Sequence, residues 1–464
     1  METAGSSPKH PESVWFCTTY VQSKPVKYLY KHLTQLCWTR TFPRVDSIIV
    51  IGGGAAGLSL AYYLSRLCPT ADFSCTIVDP DSKTENDRTW SYWGDVFDFD
   101  HLAEHRWSAV RMVDQHGAAE ARFGNGRYGR PGYRFIPAHR FYQAVRTVIA
   151  ADPRFRWIRG RAEGVRPSGA GAVVDLVTPG GRQSLACNTV VDIVFGGTNQ
   201  PNDGGRSAPW VQSFVGWEIV ATGAQWDPTV MTLMDFTGAH GGEPLEFFYT
   251  LPMGTQRALV EITTVDTAAP DFWDLEERLE THVNGRIGPL GWKIQRRERG
   301  SIPLFQDRRP GGGDGSGPVV ALGVAAGAAR PSTGYAFRSI VETSRATVEH
   351  YRRTGVLAVP TAPTDRDRAF RRRRGRFYDA VFMEVLRSEP TVLPRALTNL
   401  FRRNPPERVL RFLEGRSSLI QELGIVFSLP WGPFLRALGR LLTRVGTHST
   451  PVVSQDQKAL REVS

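Results

Sequence analysis

The sequence predicts an α/β protein in which a dinucleotide-binding unit is joined to an antiparallel-sheet region and a helical C-terminal region. Three observations predict this fold class. A strand–turn–helix–strand unit runs from Ile48 to Asp79, a strand-rich aromatic stretch runs from Trp210 to Thr264, and the chain becomes helical and basic past Pro360. With 464 residues, the chain is long enough for two or three domains and a substantial core.

The dinucleotide-binding unit begins with Ile48–Ile51, an apolar run typical of a buried parallel strand. Gly52–Gly57 follows directly with G-x-G-x-x-G spacing, and Leu58–Leu67 is rich in Ala, Leu and Tyr, as in a helix. A second apolar run, Cys75–Val78, ends on Asp79. This context makes the glycine pattern a dinucleotide-binding fingerprint, since glycine loops alone are common.

Each fingerprint position has a physical role. We expect Gly52 to make the tight turn, Gly54 to let the backbone approach a pyrophosphate, and Gly57 to let helix and strand pack closely. The helix N-terminus offers N–H groups and a positive dipole end to the phosphates. Asp79 stands about 20 residues further on, where a carboxylate takes a ribose hydroxyl.

A second glycine-rich turn follows a short strand predicted at residues 319–323. It contains Gly323, Gly327 and Gly334 and leads into another helix. Such a turn suits the far end of the cofactor, so the unit is predicted to be discontinuous in sequence.

Four segments follow from these patterns. They are an N-terminal extension (1–45), a discontinuous dinucleotide-binding domain (46–200 and 318–350), a substrate-binding sheet domain (201–317) and a helical, basic C-terminal region (351–464). The extension is interpreted as an organelle presequence, an interaction arm, a disordered segment, or the product of a start codon assigned too early. We favour the last interpretation.

The net charge is +11 at pH 7, and the sequence pI is about 9.6. Arginine outweighs lysine and is spread along the chain, which fits compositional bias as well as an anionic membrane partner. No nucleic-acid fold signature accompanies the charge, so nucleic acid is not predicted as a partner. The five cysteines are scattered without a C-x-x-C pair, which suits a reducing cytoplasm and argues against a metal site.

Two features stand out in the C-terminal region. Arg371–Arg374 is a run of four arginines, interpreted first as a solvated face. The segment Phe434–Val445 has apolar residues at helical spacing with arginines opposite, which predicts either a helix capping the core or one lying on a bilayer surface. No uninterrupted apolar stretch reaches the length of about 20 residues needed for a spanning helix.

Blocks of this sequence, in order, resemble the lycopene cyclase family over Asp46 to Leu442. Asn86–Trp93 resembles the N-D-R-T-W-x-F-W signature that follows the flavin fingerprint. The family's substrate-site block is similar to Phe248–Pro252 with Arg257–Thr263. Two further family blocks match Gly300–Pro303 and Ala325–Gly327 with Pro331–Tyr335.

The resemblance implies an FAD-binding Rossmann-like domain of the GR2, p-hydroxybenzoate hydroxylase-like type. It also implies an intramolecular lyase (isomerase) reaction, in which the ends of linear lycopene or a related acyclic carotenoid close to β-ionone rings. FAD would be bound in its reduced form without net redox change, and NAD(P)H would serve as the reductant. We expect Arg88 and Arg140 to contact this cofactor as well.

Cyclisation needs a carboxylic acid that stays protonated near neutral pH, and an apolar site raises the pKa of such a group. Glu261 stands among apolar residues in the substrate-site block and is the predicted acid. Plant members carry a second adjacent carboxylate, but here that position is Ile262. Asp235 and Glu246 are secondary candidates for the base that removes the ring proton or for holding Glu261.

The competing interpretation is a flavin monooxygenase or an isoprenoid or carotenoid reductase on the same fold. Those relatives usually carry Gly-Asp at the second turn, whereas Gly323 is followed here by Val324. A carotenoid carrier is a more distant alternative. The hydrocarbon substrate predicts peripheral membrane attachment of a cytoplasmic protein. The sequence leaves open β- or ε-ring type, closure of one or both ends, and the oligomeric state.

Overall fold

The computed structural model describes residues 46–94, 98–124, 132–194, 210–238, 245–268, 270–289, 291–306, 317–360 and 366–447. The extension predicted at residues 1–45 lies outside the described residues.

Strands dominate the described residues up to Ala321, interrupted by three α-helices, and helices dominate the end of the chain. The strands are β1 (Asp46–Ile51), β2 (Phe73–Asp79), β3 (Thr89–Trp93), β4 (His105–Trp107), β5 (Ala109–Asp114), β6 (Gly117–Arg122), β7 (Tyr133–Pro137), β8 (Phe155–Arg159), β9 (Arg161–Ser168), β10 (Gly171–Thr178), β11 (Gly181–Cys187), β12 (Thr189–Asp192), β13 (Trp210–Ala221), β14 (Val230–Asp235), β15 (Leu245–Pro252), β16 (Arg257–Asp266), β17 (Trp292–Leu304) and β18 (Val319–Ala321). The helices are α1 (Ala55–Leu67), α2 (Ala138–Ala150), α3 (Phe272–Ile287), α4 (Phe337–Thr354), α5 (Arg366–Ser388), α6 (Leu393–Arg403), α7 (Pro406–Leu413), α8 (Leu419–Ser428) and α9 (Trp431–Thr447).

A five-stranded parallel sheet has the spatial order β8-β2-β1-β12-β18. In chain order this is 3-2-1-4-5, the arrangement of dinucleotide-binding sheets. The fifth strand comes from the far side of the sequence, so the sheet is built from early and late segments. Helices α1, α2 and α4 pack on one face of β1, and Ile49 and Ile51 on its other face pack with residues of β9–β11. Burial of both faces explains the continuous apolar character of β1.

A seven-stranded sheet has the order β17-β13-β16-β15-β14-β5-β6. Its pairings are antiparallel except for the parallel pair β14–β5. The predicted boundary at residue 200 is wrong for β5 and β6, because these strands pair with the later sheet although they precede it in sequence. A local pattern cannot reveal such a partner, since the hydrogen bonds join segments far apart in the chain.

Two smaller three-stranded sheets complete the β-structure of the described residues. The order β11-β10-β9 is antiparallel, and β3 and β4 flank β7. The second of these sheets contains the end of the Asn86–Trp93 block, because β3 covers Thr89–Trp93.

Helices α5–α9 form the C-terminal region, so the predicted α/β class with a sheet domain and a helical end is confirmed. Phe434 and Ala437 of α9 pack with Val381 and Phe382 of α5. This face of α9 therefore caps the core, as the first of the two interpretations predicted. Within the described ranges, no helix combines the length and the apolar character needed to cross a bilayer.

Candidate active site

The first glycine turn has the geometry that its predicted role requires. Gly52 has φ of +105°, a left-handed value that glycine adopts without strain. A Cβ on Gly57 would lie 2.1 Å from the carbonyl oxygen of Gly52, so only glycine fits where α1 meets β1. A Cβ on Gly54 would meet no atom within 4 Å, which leaves open space in front of the turn.

The N-terminus of α1 opens onto this space. Its N-cap is Gly54, no side chain caps it, and its first turn carries no acidic residue. Unpartnered N–H groups at a helix start attract anions such as a pyrophosphate. Asp79 is buried at the end of β2, where its Oδ2 accepts from the Gly53 N–H at 2.6 Å and its Oδ1 from the Asp81 N–H at 2.8 Å.

The second glycine turn packs directly on the first. Gly323 has φ of +75°, and a Cβ there would lie 2.9 Å from the Cβ of Ala56 at the start of α1. Gly327 and Gly334 have φ of +80° and +69°. A Cβ on Gly334 would lie 2.1 Å from the Gln212 side chain of β13, so the turn also abuts the seven-stranded sheet. The fold thus brings both predicted glycine turns together.

The two arginines predicted at the cofactor are exposed and bind neighbouring residues. Arg88 Nη1 donates to the backbone carbonyl of Asp87 at 2.7 Å, and Arg140 Nη2 lies 3.3 Å from Glu104 Oε2. Neither of these contacts involves a glycine turn, so a cofactor role for either arginine stays a prediction.

Glu261 lies in a row of four residues across the seven-stranded sheet. Gly216 of β13 pairs with Glu261 of β16 on one side and with Glu298 of β17 on the other. Tyr249 of β15 pairs with Glu261 from the opposite direction. Residues paired across adjacent strands point to the same face, so the two carboxylates and the tyrosine share one surface.

The surroundings of Glu261 favour its neutral form. Desolvation, followed by the nearby charge of Glu298, raises the pKa of Glu261 from 4.5 to about 8. A hydrogen bond from Thr263 Oγ1 at 2.8 Å and the charge of Arg296 act in the opposite direction and are outweighed. Glu261 retains some solvent-accessible surface. At neutral pH this carboxyl group therefore holds a proton that it can donate.

Glu298 connects this surface to the Asn86–Trp93 block. Its Oε2 accepts from Thr89 Oγ1 at 2.9 Å and from Arg296 Nη1 at 2.7 Å, and Arg296 Nη2 also donates to Thr89 Oγ1 at 2.8 Å. Two sequence blocks that are far apart along the chain are thereby joined around one buried carboxylate.

Three tyrosines link Glu261 to the second glycine turn. Tyr249 donates a hydrogen bond to Tyr133 at 2.9 Å, and the ring of Tyr335, directly after Gly334, lies 6.1 Å from the ring of Tyr133. Desolvation holds the pKa of all three phenols well above the usual value, so they remain neutral. An aromatic wall therefore runs from the carboxylic acid to the turn.

Asp235 does not join this site. It pairs with Phe248, which lies on the sheet face covered by α3, and its Oδ2 accepts from Arg286 of that helix at 2.5 Å. Glu246 pairs with Arg278 of the same helix. The expectation that Asp235 or Glu246 assists Glu261 is wrong in geometry, because alternation along β14 and β15 directs both carboxylates to the opposite face.

Sequence reasoning missed Gly216, Glu298 and the tyrosine contacts. Glu298 lies two residues before the Gly300–Pro303 block. Extending that block by two residues toward the N-terminus would have included it. Gly216 carries only the weak signal of a glycine inside a strand pattern, which often marks close approach of another group.

A family model described as lycopene cyclase protein matches residues 47–439. The chain is 24% identical to a lycopene beta-cyclase from Pantoea ananas over 426 residues, which are 86% of this chain and 99% of that protein.

Two solved structures share the fold. A geranylgeranyl bacteriochlorophyll reductase-like protein from Thermoplasma acidophilum matches with a TM-score of 0.64 and 11% identity, over 85% of this chain and 99% of that one. A p-nitrophenol 4-monooxygenase from Pseudomonas putida matches with a TM-score of 0.51 and 14% identity, over 84% and 98%. The predicted FAD-binding Rossmann-like fold class is confirmed.

Proposed function

The chain belongs to the lycopene cyclase family, and from this premise we propose that it is a lycopene β-cyclase of carotenoid biosynthesis. Its substrate is linear lycopene or a related acyclic carotenoid, and its products carry β-ionone rings. The observation that carries the proposal is the position of Glu261, a carboxyl group with a pKa of about 8 beside an aromatic wall.

The reaction starts with transfer of the Glu261 proton to C2 of the terminal C1=C2 double bond. This leaves a tertiary cation at C1 and a carboxylate at Glu261. The C5=C6 electron pair then forms the C1–C6 bond, which moves the cation to C5. Loss of the proton from C6 regenerates a C5=C6 double bond, so the substrate is isomerised and the proton is returned.

Glu261 is also the group that takes back the C6 proton. It becomes a carboxylate in the first step, and a carboxylate beside Glu298 in a desolvated site binds a proton readily. Asp235, the other candidate base, faces α3 and is held by Arg286. One residue therefore acts first as acid and then as base, and no net proton is consumed.

The cation needs surroundings that are electron-rich and free of water, because water would capture it as an alcohol. The aromatic rings of Tyr249 and Tyr133 offer cation–π stabilisation of about 0.5–2 kcal/mol each. Their neutral hydroxyls bond to each other, so the pair supplies π-faces without an ionised nucleophile.

The residues of the two glycine turns fit FAD. The open space at Gly54, the uncapped start of α1 and the carboxylate of Asp79 suit its pyrophosphate and ribose, and the turn at Gly323–Gly334 suits the flavin end. When bound in its reduced form, FAD supplies a negative charge that stabilises the substrate cation, and NAD(P)H keeps it reduced.

Lycopene partitions into membranes, so the enzyme needs contact with a bilayer. We assign this contact to a C-terminal apolar patch on α8 and the start of α9, formed by Ile420, Leu423, Phe427, Trp431 and Leu435. Their exposed fractions are 81%, 56%, 59%, 50% and 60%. Apolar side chains clustered at this exposure are typical of membrane or protein contact surfaces. The basic composition of the chain favours an anionic membrane.

Vesicle sedimentation tests this assignment. The double variant Ile420→Glu/Phe427→Glu should lose binding to anionic phospholipid vesicles at low salt, while Trp273→Glu should retain it. Trp273 is a matched control because it is 78% exposed on α3, outside the patch. Equal binding by all three proteins would contradict the assignment of the patch.

Expression in a lycopene-accumulating bacterium tests the activity. The wild-type chain should convert the red pigment to yellow-orange β-carotene, and Glu261→Gln should leave lycopene unchanged while the purified protein still carries flavin. Asp235→Asn is the matched carboxylate control and should still cyclise. Oxygenated or saturated pigment would support a monooxygenase or a reductase instead, and unchanged lycopene with the wild type would contradict the proposal.

A further inference from the structure

We propose that Glu298 is a positioning residue for the acid: held as an anion by Arg296 and Thr89, it faces Glu261 across Gly216 and keeps Glu261 protonated until substrate is bound. This inference rests on the proposed cyclisation. Glu298 sets when the Glu261 proton is available, and it does not contact the substrate.

The gap between the two carboxylates depends on a glycine. A Cβ on Gly216 would lie 3.2 Å from Glu298 Cγ and 3.4 Å from Glu261 Oε2. The absent side chain therefore leaves the two acids facing each other over one backbone position. Across this gap the negative charge of Glu298 disfavours ionisation of Glu261 and raises its pKa.

The surrounding contacts decide which of the two is ionised. Glu298 is buried and receives hydrogen bonds on Oε2 from both Arg296 Nη1 and Thr89 Oγ1. Charge-assisted bonds of this kind stabilise the anion. Arg296 is itself fixed by Glu218, whose Oε2 accepts from its Nε at 3.1 Å.

Glu261 has the opposite surroundings. Glu261 accepts a hydrogen bond from the neutral hydroxyl of Thr263, and the aromatic side chain paired with it is the neutral phenol of Tyr249. Arg296 forms its salt bridges with two other carboxylates, Glu218 and Glu298. Burial and the Glu298 charge together outweigh the Arg296 charge and raise the pKa of Glu261. The proton of the pair therefore resides on Glu261.

This arrangement also favours return of the proton. Donation to the substrate creates two adjacent anions, Glu261 and Glu298, and their repulsion is relieved when Glu261 takes the proton from C6. The fixed anion thus prevents premature loss of the proton and makes Glu261 an effective base after the first step.

The test is the pH profile of cyclisation by Glu298→Gln. This change removes the charge and keeps the side-chain shape, so the alkaline limb of the rate profile should move to lower pH by about 1 unit or more. Glu298→Asp, which keeps the charge, should restore much of the wild-type profile. Asp235→Asn is the matched control, because it removes a carboxylate that lies on the opposite face of the same sheet beside Arg286 and should leave the limb in place.

A second measurement is independent of turnover. The infrared C=O stretch of the protonated Glu261 carboxyl, identified by its loss in Glu261→Gln, should titrate at lower pH in Glu298→Gln than in the wild type. An unchanged titration and an unchanged rate profile would overturn the role of Glu298 even if the wild type cyclises lycopene. A wild type that does not cyclise would instead overturn the proposed function, and the infrared titration would still test the carboxylate pair.

Discussion

Replacing the acid Glu261 with glutamine should stabilise the protein, and the gain should depend on pH. In the native state the pKa of Glu261 is raised from its ordinary 4.5 to about 8. Between these values the native chain must hold a proton that the unfolded chain has released. The free energy of unfolding of the wild type therefore falls as pH rises through this window, because the native state binds more protons.

The size of the effect follows from that window. Each pH unit costs about 1.4 kcal/mol, so the window from 4.5 to about 8 amounts to about 5 kcal/mol for a fully desolvated group. Glu261 is only partly buried, and solvent screening reduces the figure, so we expect about 3 kcal/mol. Glu261→Gln removes this penalty while keeping an oxygen that accepts the bond from Thr263 Oγ1.

The assay compares unfolding midpoints of the wild type and Glu261→Gln at matched flavin content from pH 4.5 to 9. The difference should be near zero at the acid end, grow with pH and level off above pH 8. Asp235→Asn provides the contrast, since it removes the partner of Arg286 and should destabilise the protein. A difference between wild type and Glu261→Gln that stays constant across this range would refute the reasoning.

Three further predictions concern the rest of the site. Gly57→Val should abolish flavin binding, because the valine Cβ would lie 2.1 Å from the Gly52 carbonyl oxygen. Flavin absorbance of the purified protein measures this, and a normal flavin content would contradict the turn geometry. Gly216→Val should drive the carboxylates apart and lower the pH at which Glu261 titrates in the infrared, and an unchanged titration would count against their coupling. Tyr249→Phe should cyclise nearly as well as wild type, whereas Tyr249→Leu should lose about 10-fold in rate; equal rates would exclude a cation–π role.

The sequence predicted well the features that are formed by residues close together in the chain. The fingerprint at Gly52–Gly57 was predictable because strand, turn, helix and second strand follow one another without interruption. Glu261 was identified through its resemblance to a family block, and its apolar sequence neighbours agreed with the raised pKa. Both cases rest on residues that are close together in the chain.

What the sequence did not reveal depends on register between distant strands. Glu298 faces Glu261 only because β13 lies between their strands and presents Gly216 at that position. Asp235 was a secondary candidate in the sequence, and its position on β14 directs it to α3. Alternation indicates which residues share a face of one strand, but it does not say which face of a sheet turns toward the cofactor.

Strand β18 comes late in the sequence, and this position affects folding of the chain during its synthesis. The parallel sheet starts at Asp46, but its last strand and the turn at Gly323 follow the entire seven-stranded sheet in sequence. The ribosome must therefore release nearly three hundred residues after β1, about 280 by residue number, before both glycine turns exist together. Until then β12 lacks one neighbour, so nascent chains and truncated products carry an open sheet edge that is prone to aggregation.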